Sequence, residues 1–405
     1  MRYSVFNQFQ KHKTAQHNTK DLTMKKTLFF VALATALGFN NAQAVDWNWK
    51  GDIRYRYESG LKDDNVSATE DHSRDRHRMR VRFGVYPWIN EELSAGLQLS
   101  TGGTEPTSRN ETFDDLFATD DVYLNEAFID YHPMFLNGNV NVLLGKRDVA
   151  KTLIVEKDLV WDGDLTFEGI TLQYGKDSDG NEKDGLSAVA GYYVIDENSS
   201  VTTFEKDAYI VAAEASYKGT VSDLGYRLGA GYYDFVNLDG YSASTTSVTK
   251  PTAAQFTPYD FNIVEFFGNV GGDITETVPW KLYAQYAFNT AKQSDYPAIL
   301  DEDERNAFLV GLKIGKAKNP GQLEGSAEYV SIGKYAVAPI TDSDRNGGSF
   351  TNLEGFKIGA VYHLVQNMTI GATYYNFDYK NKDLVSVADS DDRQHLLQAD
   401  VVVKF

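Results

Sequence analysis

The sequence predicts an all-β fold: a sixteen-stranded antiparallel β-barrel that crosses a membrane. Three observations carry this. Apolar and polar residues alternate with a period of two in sixteen separate segments, the period of a strand whose faces meet different surroundings. The connections between these segments alternate between short and long, as in an up-and-down meander. All nine prolines fall in the expected connections, which suits a residue that cannot donate to a sheet ladder.

The chain starts with an address. Met24, Lys25 and Lys26 open a short basic region, "TLFFVALATALGF" is apolar, and Ala42-Gln43-Ala44 places small residues at a cleavage position. This pattern is a secretory signal over 24–44, and its apolar run is too short for a permanent membrane helix. Residues 1–23 precede a natural start at Met24 and are expected to be an over-extended gene start. Residues 45–405 are expected to form one barrel domain. Removing residues 1–44 takes away six basic residues and one acidic residue, so the net charge of −18 becomes −23. Such a balance disfavours nucleic acid as a partner. Cysteine is absent, which excludes disulfides and thiolate metal sites.

The strands follow in order. "WNWKGDIRYRYE" places Trp47, Trp49, Ile53, Tyr55 and Tyr57 on one face and Lys50, Asp52, Arg54 and Arg56 on the other. "RDRHRMRVRF" repeats the pattern, with Arg74, Arg76, Arg78, Arg80 and Arg82 on one parity and Met79, Val81 and Phe83 on the other. The full set is 47–58, 74–86, 93–101, 122–131, 140–147, 168–174, 186–195, 208–218, 225–236, 261–273, 280–290, 305–316, 322–334, 354–364, 368–380 and 393–405. Most reach the length that a tilted spanning strand needs. One face is aromatic and branched while the other carries charge and glycine. Lipid outside and water inside a closed barrel fit that pattern. An even strand count leaves both ends on the periplasmic side. Phe405, closing an alternating strand, is similar to the C-terminal assembly signal of outer-membrane barrels.

Several stretches resemble a known family. "DRHRMRVRFGVYPWINEELSAGLQLSTG" with "EPTSRN", then "LNEAFIDYHP" at 124–133 and "LVWDGDLTFEG" at 159–169, resemble the bacterial "putative porin" family. The resemblance implies a porin-like barrel in the outer membrane of a Gram-negative bacterium, facing lipid and lipopolysaccharide. It implies passive diffusion of small hydrophilic solutes or ions, and by analogy a homotrimer. It supplies no particular solute.

The arginines need an explanation of their own. Guanidiniums two residues apart repel by about 2 kcal/mol at an effective dielectric near 20, and on the lipid face a charge costs about 2–4 kcal/mol. Arg54, Arg56, Arg76, Arg78, Arg80 and Arg82 are therefore expected to line a wet lumen. The third long loop, 148–167, offers partners: Glu156, Asp158, Asp162 and Asp164, followed by Glu168. Its "LIV" and "LVW" are too apolar for solvent, so the loop is expected to fold into the lumen and face its acids to the arginines. The alternative is pairing with acids of neighbouring strands such as Asp52, Glu126 and Asp130.

Other signals are weaker. "DSDGNEKDG" at 177–185 has Asp177, Asp179 and Asn181 at calcium-loop spacing, but Glu182 and Ala188 stand where glycine and glutamate belong; a polar turn is expected. His72 and His77 near Asp71 and Asp75 lack a second acid pair, and His132, His363 and His395 lack a serine partner, so no catalytic residues, metal site or cofactor are expected. The stretches "GYYVI", "GYYDF" and "TYYNFDY" read as interfacial girdles, with Tyr193, Tyr233 and Tyr375 as lumenal exceptions. The expected function is a water-filled diffusion channel with a charged constriction. The alternative is a barrel acting as adhesin, receptor or surface enzyme through its external loops.

Overall fold

The computed structural model describes residues 45–63, 72–197, 206–238, 260–292, 302–345, 350–384 and 393–405. Seventeen strands form one antiparallel sheet that closes on itself. They are β1 Asp46–Asp63, β2 His72–Asn90, β3 Leu93–Ser100, β4 Glu111–Thr112, β5 Tyr123–Tyr131, β6 Val140–Asp148, β7 Thr166–Tyr174, β8 Gly185–Asp196, β9 Ala208–Val221, β10 Leu224–Val236, β11 Asn262–Thr275, β12 Val278–Asn289, β13 Asn306–Gly315, β14 Leu323–Ile332, β15 Leu353–Val365, β16 Met368–Tyr379 and β17 Arg393–Lys404. Sixteen build the wall. β4 is a two-residue strand that pairs with β2 at Arg78 and Met79.

Every wall strand pairs with its sequence neighbour, and β17 returns to β1 in a register that runs from Asp52 opposite Lys404 to Asp63 opposite Arg393. Closure leaves no sheet edge exposed to lipid. Outward positions carry the large exposed apolar residues, among them Trp49, Ile53, Phe83, Ile170, Leu228, Phe266 and Ile358. Inward positions along the middle of the wall are mostly buried or half-buried, so the side-chain period of two separates lipid face from lumen around the ring.

The boundaries differ from expectation at the first hairpin. β1 runs to Asp63 and β2 starts at His72, because the alternation continues past Glu58 through polar residues that a hydropathy pattern undervalues. Two prolines also lie within strands: Pro87 in β2 and Pro279 in β12. Both sit next to turns. The pairing of β12 with β13 begins only at Trp280, so on that side Pro279 is not asked for a donor. Pro251, Pro258 and Pro297 lie outside the described residues.

The wall is uneven in height. β1 and β2 have 18 and 19 residues, whereas β5, β6 and β7 have nine each. The long loop after β6 therefore leaves from a low rim.

Candidate functional site

The loop between β6 and β7 begins with a turn that the sequence encodes. Asp148 accepts a hydrogen bond from the Ala150 N–H at 2.9 Å and caps the helical turn Val149–Thr152. The chain then carries Leu153, Ile154, Leu159, Val160 and Trp161, all buried, into a cluster with Tyr193, Ile210, Tyr233, Phe235, Ile263 and Phe267 of the inner wall. Trp161 meets Phe167 and Tyr233 edge-on, with ring centres 5.0 and 4.9 Å apart, and stacks on Phe235 at 5.9 Å. Each such side chain removed from water contributes about 1.5–3 kcal/mol. Polar ties add direction. The Ile154 N–H donates to Glu214 at 2.8 Å, and the Tyr233 hydroxyl bridges Glu214 and Glu265 at 2.7 and 2.8 Å. Tyr193, Tyr233 and Tyr375 face inward and are buried, while Tyr192 and Tyr232 point out.

A second inward segment was not expected from the sequence. Tyr335, Ala336, Val337, Ala338 and Ile340, which follow β14, are buried. They pack beside the first loop: the Asp162 N–H donates to the Ile340 carbonyl at 2.9 Å, and the Ser343 N–H donates to Asp162 at 3.1 Å. Arg345, fully buried, bonds Asp158. The signal was present in the sequence. "YAVAPI" is as apolar as the "LIV" and "LVW" of the loop before β7.

The acids of the first loop divide among three directions. Glu156 pairs with Arg227 of β10 and, at 2.7 Å, with Lys281 of β12. Asp158 pairs with Arg345 and with Lys357 of β15 at 3.4 Å. Asp164 alone reaches the arginine wall, 3.8 Å from Arg80. Asp162 is held in its loop by backbone donors; burial first, then the neighbouring Asp342 and Asp164, push its carboxyl up to about 9. Glu168 does not belong with the lumenal acids. It shares outward parity with Ile170 and Leu172, its side chain is 61% exposed, and it pairs with Lys146 at 2.7 Å. The reason is the strand period: β7 has already begun at Thr166, so residue 168 falls on the outer face.

The arginines find most of their partners on the wall itself. Arg80 and Arg82 both bond Asp52, at 2.8 and 2.7 Å. Arg76 bonds Glu58, which Arg78 approaches to 3.5 Å. Arg56 takes Asp400 in a two-pronged pair at 2.7 and 2.8 Å and reaches Asp344 at 3.3 Å. Among the described residues Arg54 bonds the side-chain oxygen of Asn110 and no carboxylate. Of the strand acids expected as alternatives, Asp52 serves the ladder. Glu126 instead accepts from Tyr86 at 2.7 Å, and Asp130 lies 3.5 Å from Arg147. Glu58 was missed, although it continues the parity of Arg54 and Arg56.

Between these elements lies a polar cavity of about 310 Å³. Arg54, Arg80 and Arg82 line it from β1 and β2. Asp158, Asp162 and Asp164 line it from the first loop, Asp342 and Asp344 from the second, and Lys357 and Tyr375 from the wall. Basic side chains of the β1–β2 wall and acidic side chains of the two loops therefore line the same cavity.

A closed barrel with lipid outside, inward-folded loops and a charged cavity defines a porin-type channel. A family model described as a putative porin matches residues 38–275, and the chain belongs to that family. Solved structures show the same fold at low identity. OprB of Pseudomonas putida in a high-pH structure is 11% identical with a TM-score of 0.54, over 89% of this chain and 94% of that one. The anion-selective porin of Comamonas acidovorans is 11% identical with a TM-score of 0.50, over 89% of this chain and 100% of that one. No curated protein matches the sequence.

The remaining sequence signals have ordinary placements. Asp177 accepts from the backbone and side chain of Asn181 at 2.7 and 3.1 Å, which closes a polar turn. His77 meets the Tyr55 hydroxyl at 2.6 Å, His132 lies over Trp88, and His395 meets Tyr374 at 2.7 Å. The side chain of His72 lies outside the described residues.

Proposed function

We propose that the protein is an outer-membrane diffusion channel for small hydrophilic solutes, with its constriction between the arginine wall and the two inward loops. The observation that carries this reading is the cavity with Arg54, Arg80 and Arg82 on one side and Asp158, Asp164 and Asp344 on the other. Fixed charge beside a low-dielectric wall focuses the field where the path is narrowest, whereas charge on outer loops is screened within about 8–10 Å. Arg54, Arg56, Arg76, Arg78, Arg80 and Arg82 supply the cationic side, and Glu156, Asp158, Asp162 and Asp164 belong to the loop that narrows the lumen. Selectivity then comes from size and local charge together.

The protein is exported in a Gram-negative cell, cleaved after Ala44 and embedded among lipid and lipopolysaccharide, as a homotrimer. N-terminal sequencing of outer-membrane fractions should begin at Val45, and crosslinking should give three copies. A soluble periplasmic protein would overturn this placement.

The deciding experiment is a planar bilayer recording under a KCl gradient. The wild type should conduct with a modest anion preference. Replacing Arg78, Arg80 and Arg82 with Gln leaves Asp52 without its cations and Glu58 with Arg76 alone, so the reversal potential should move toward cations and the conductance should rise. A clearly cation-selective wild type, or an unchanged reversal potential in the triple variant, would assign selectivity elsewhere. A protein that inserts but never conducts favours a role carried by external loops.

A further inference from the structure

Arg54 is set apart from its neighbours. Arg56, Arg76, Arg78, Arg80 and Arg82 each have a carboxylate within 4 Å, namely Asp400, Glu58 or Asp52. Among the described residues Arg54 has none; its one partner is the neutral Asn110 side chain. It is also a lining residue of the constriction cavity, beside Arg80 and Arg82. Asp52 divides its two oxygens between Arg80 and Arg82, and Asp164 reaches only Arg80. On this wall three guanidiniums share one wall carboxylate, Asp52, while Asp164 reaches Arg80 from the loop; of the three, Arg54 is the one with no carboxylate within 4 Å among the described residues.

A guanidinium that is always ionised and presents planar donors is matched best by a carboxylate. Asn110 fixes the side chain without neutralising it, and Ser108 is held beside Asn110, whose N–H lies 3.3 Å from the Ser108 hydroxyl. The polar groups around the cation thus leave its charge available to something that enters the cavity. Resting on the channel reading above, we infer that Arg54 is the anchor of a carboxylate subsite in the constriction, so that the channel takes up small organic monocarboxylates in preference to neutral solutes of equal size. A passing carboxylate would exchange water for Arg54 and leave again without breaking any ion pair of the wall. That combination allows both selectivity and throughput.

The test uses the full-length protein in planar bilayers, with potassium lactate as probe and KCl as reference. Wild-type conductance should saturate with lactate concentration while remaining near linear in KCl. Arg54→Gln should raise the half-saturation concentration about tenfold, the loss of one charge-assisted contact. Asn110→Asp, which keeps Arg54 but gives it an internal carboxylate, should do the same. Heat-modifiable gel mobility would verify that both variants fold. Linear wild-type conductance in lactate overturns the subsite, as does unchanged saturation in both variants. Absence of conductance in KCl overturns the channel reading and the subsite with it.

Discussion

Arg56 and Asp400 face each other directly across the seam where the first and last strands meet, joined by two parallel hydrogen bonds of 2.7 and 2.8 Å. The pair is cross-strand, bidentate and largely shielded, the geometry in which a salt bridge contributes most. It therefore does two things at once. It closes the barrel, and it fixes one rung of the arginine ladder. Asp400→Asn should lower stability by about 1.5–3 kcal/mol, read as a drop in the temperature at which the folded band disappears from a heat-modifiability gel. A thermal transition equal to wild type would mean that the seam is held by its backbone ladder alone.

Phe405 sits at the same seam. Its backbone exchanges hydrogen bonds with Gly51 at 2.8 and 3.1 Å, and its ring lies over that glycine, 6.5 Å from the ring of Phe83. A Cβ on residue 51 would fall 2.7 Å from the ring. Phe405→Ala should reduce the amount of assembled protein in the membrane far more than it lowers the melting temperature of what does assemble. Equal losses in both would assign Phe405 a packing role only.

Trp161 anchors the first inward loop through three ring contacts. Truncating a buried aromatic of this kind costs about 3–5 kcal/mol, and here much of the cost should appear as loosening of the loop. Trp161→Ala should raise single-channel conductance and current noise, and should admit larger uncharged polymers. A quiet channel of wild-type size would show that the polar ties at Glu214 and Asp158 suffice.

Asp162 gives the same loop a dependence on pH. Its folded carboxyl titrates at about 9, above the unfolded value of 3.8, because burial and the adjacent Asp342 and Asp164 disfavour the charged form. A carboxyl raised in the folded state favours folding fully below its unfolded value, and that contribution is lost as pH climbs through the folded one. Loop anchoring should therefore weaken progressively as pH rises from about 4 to about 9 and level off above that, seen as rising current noise, and Asp162→Asn should flatten this dependence. Noise that rises equally in the variant would place the titration at other groups.

Glu168→Gln provides a contrast. The carboxylate pairs with Lys146 on the outer face, an exposed ion pair worth about 0.2–1 kcal/mol. Conductance and reversal potential should match wild type, and a shift in either would bring Glu168 back among the lumenal acids.

Much of this architecture was legible in the sequence because a membrane barrel imposes the simplest of periods. Where lipid meets one face and water the other, each residue's parity declares its side, and the outward Ile53 and inward Arg54 follow from that alone. Glu168 was misplaced because it was grouped with the acids of the loop before it, although its parity with Ile170 and Leu172 already set it on the outer face. Partnerships between distant segments were less legible. Nothing local in Glu156 points to Arg227 or Lys281, since that pairing depends on how far the loop travels across the lumen. The inward path of residues 335–345 could have been found, because a run such as Tyr335–Ile340 is costly to leave in water.

The aromatic cluster under Trp161 occupies one side of the barrel, and the arginine ladder occupies the other. The lumen is therefore two-sided, with an aromatic buttress behind one bank and ion-paired side chains along the opposite bank. Substitutions at Arg54 or Arg82, which make no ion pair with either inward loop among the described residues, would alter the charged bank and leave the ring contacts of Trp161 in place.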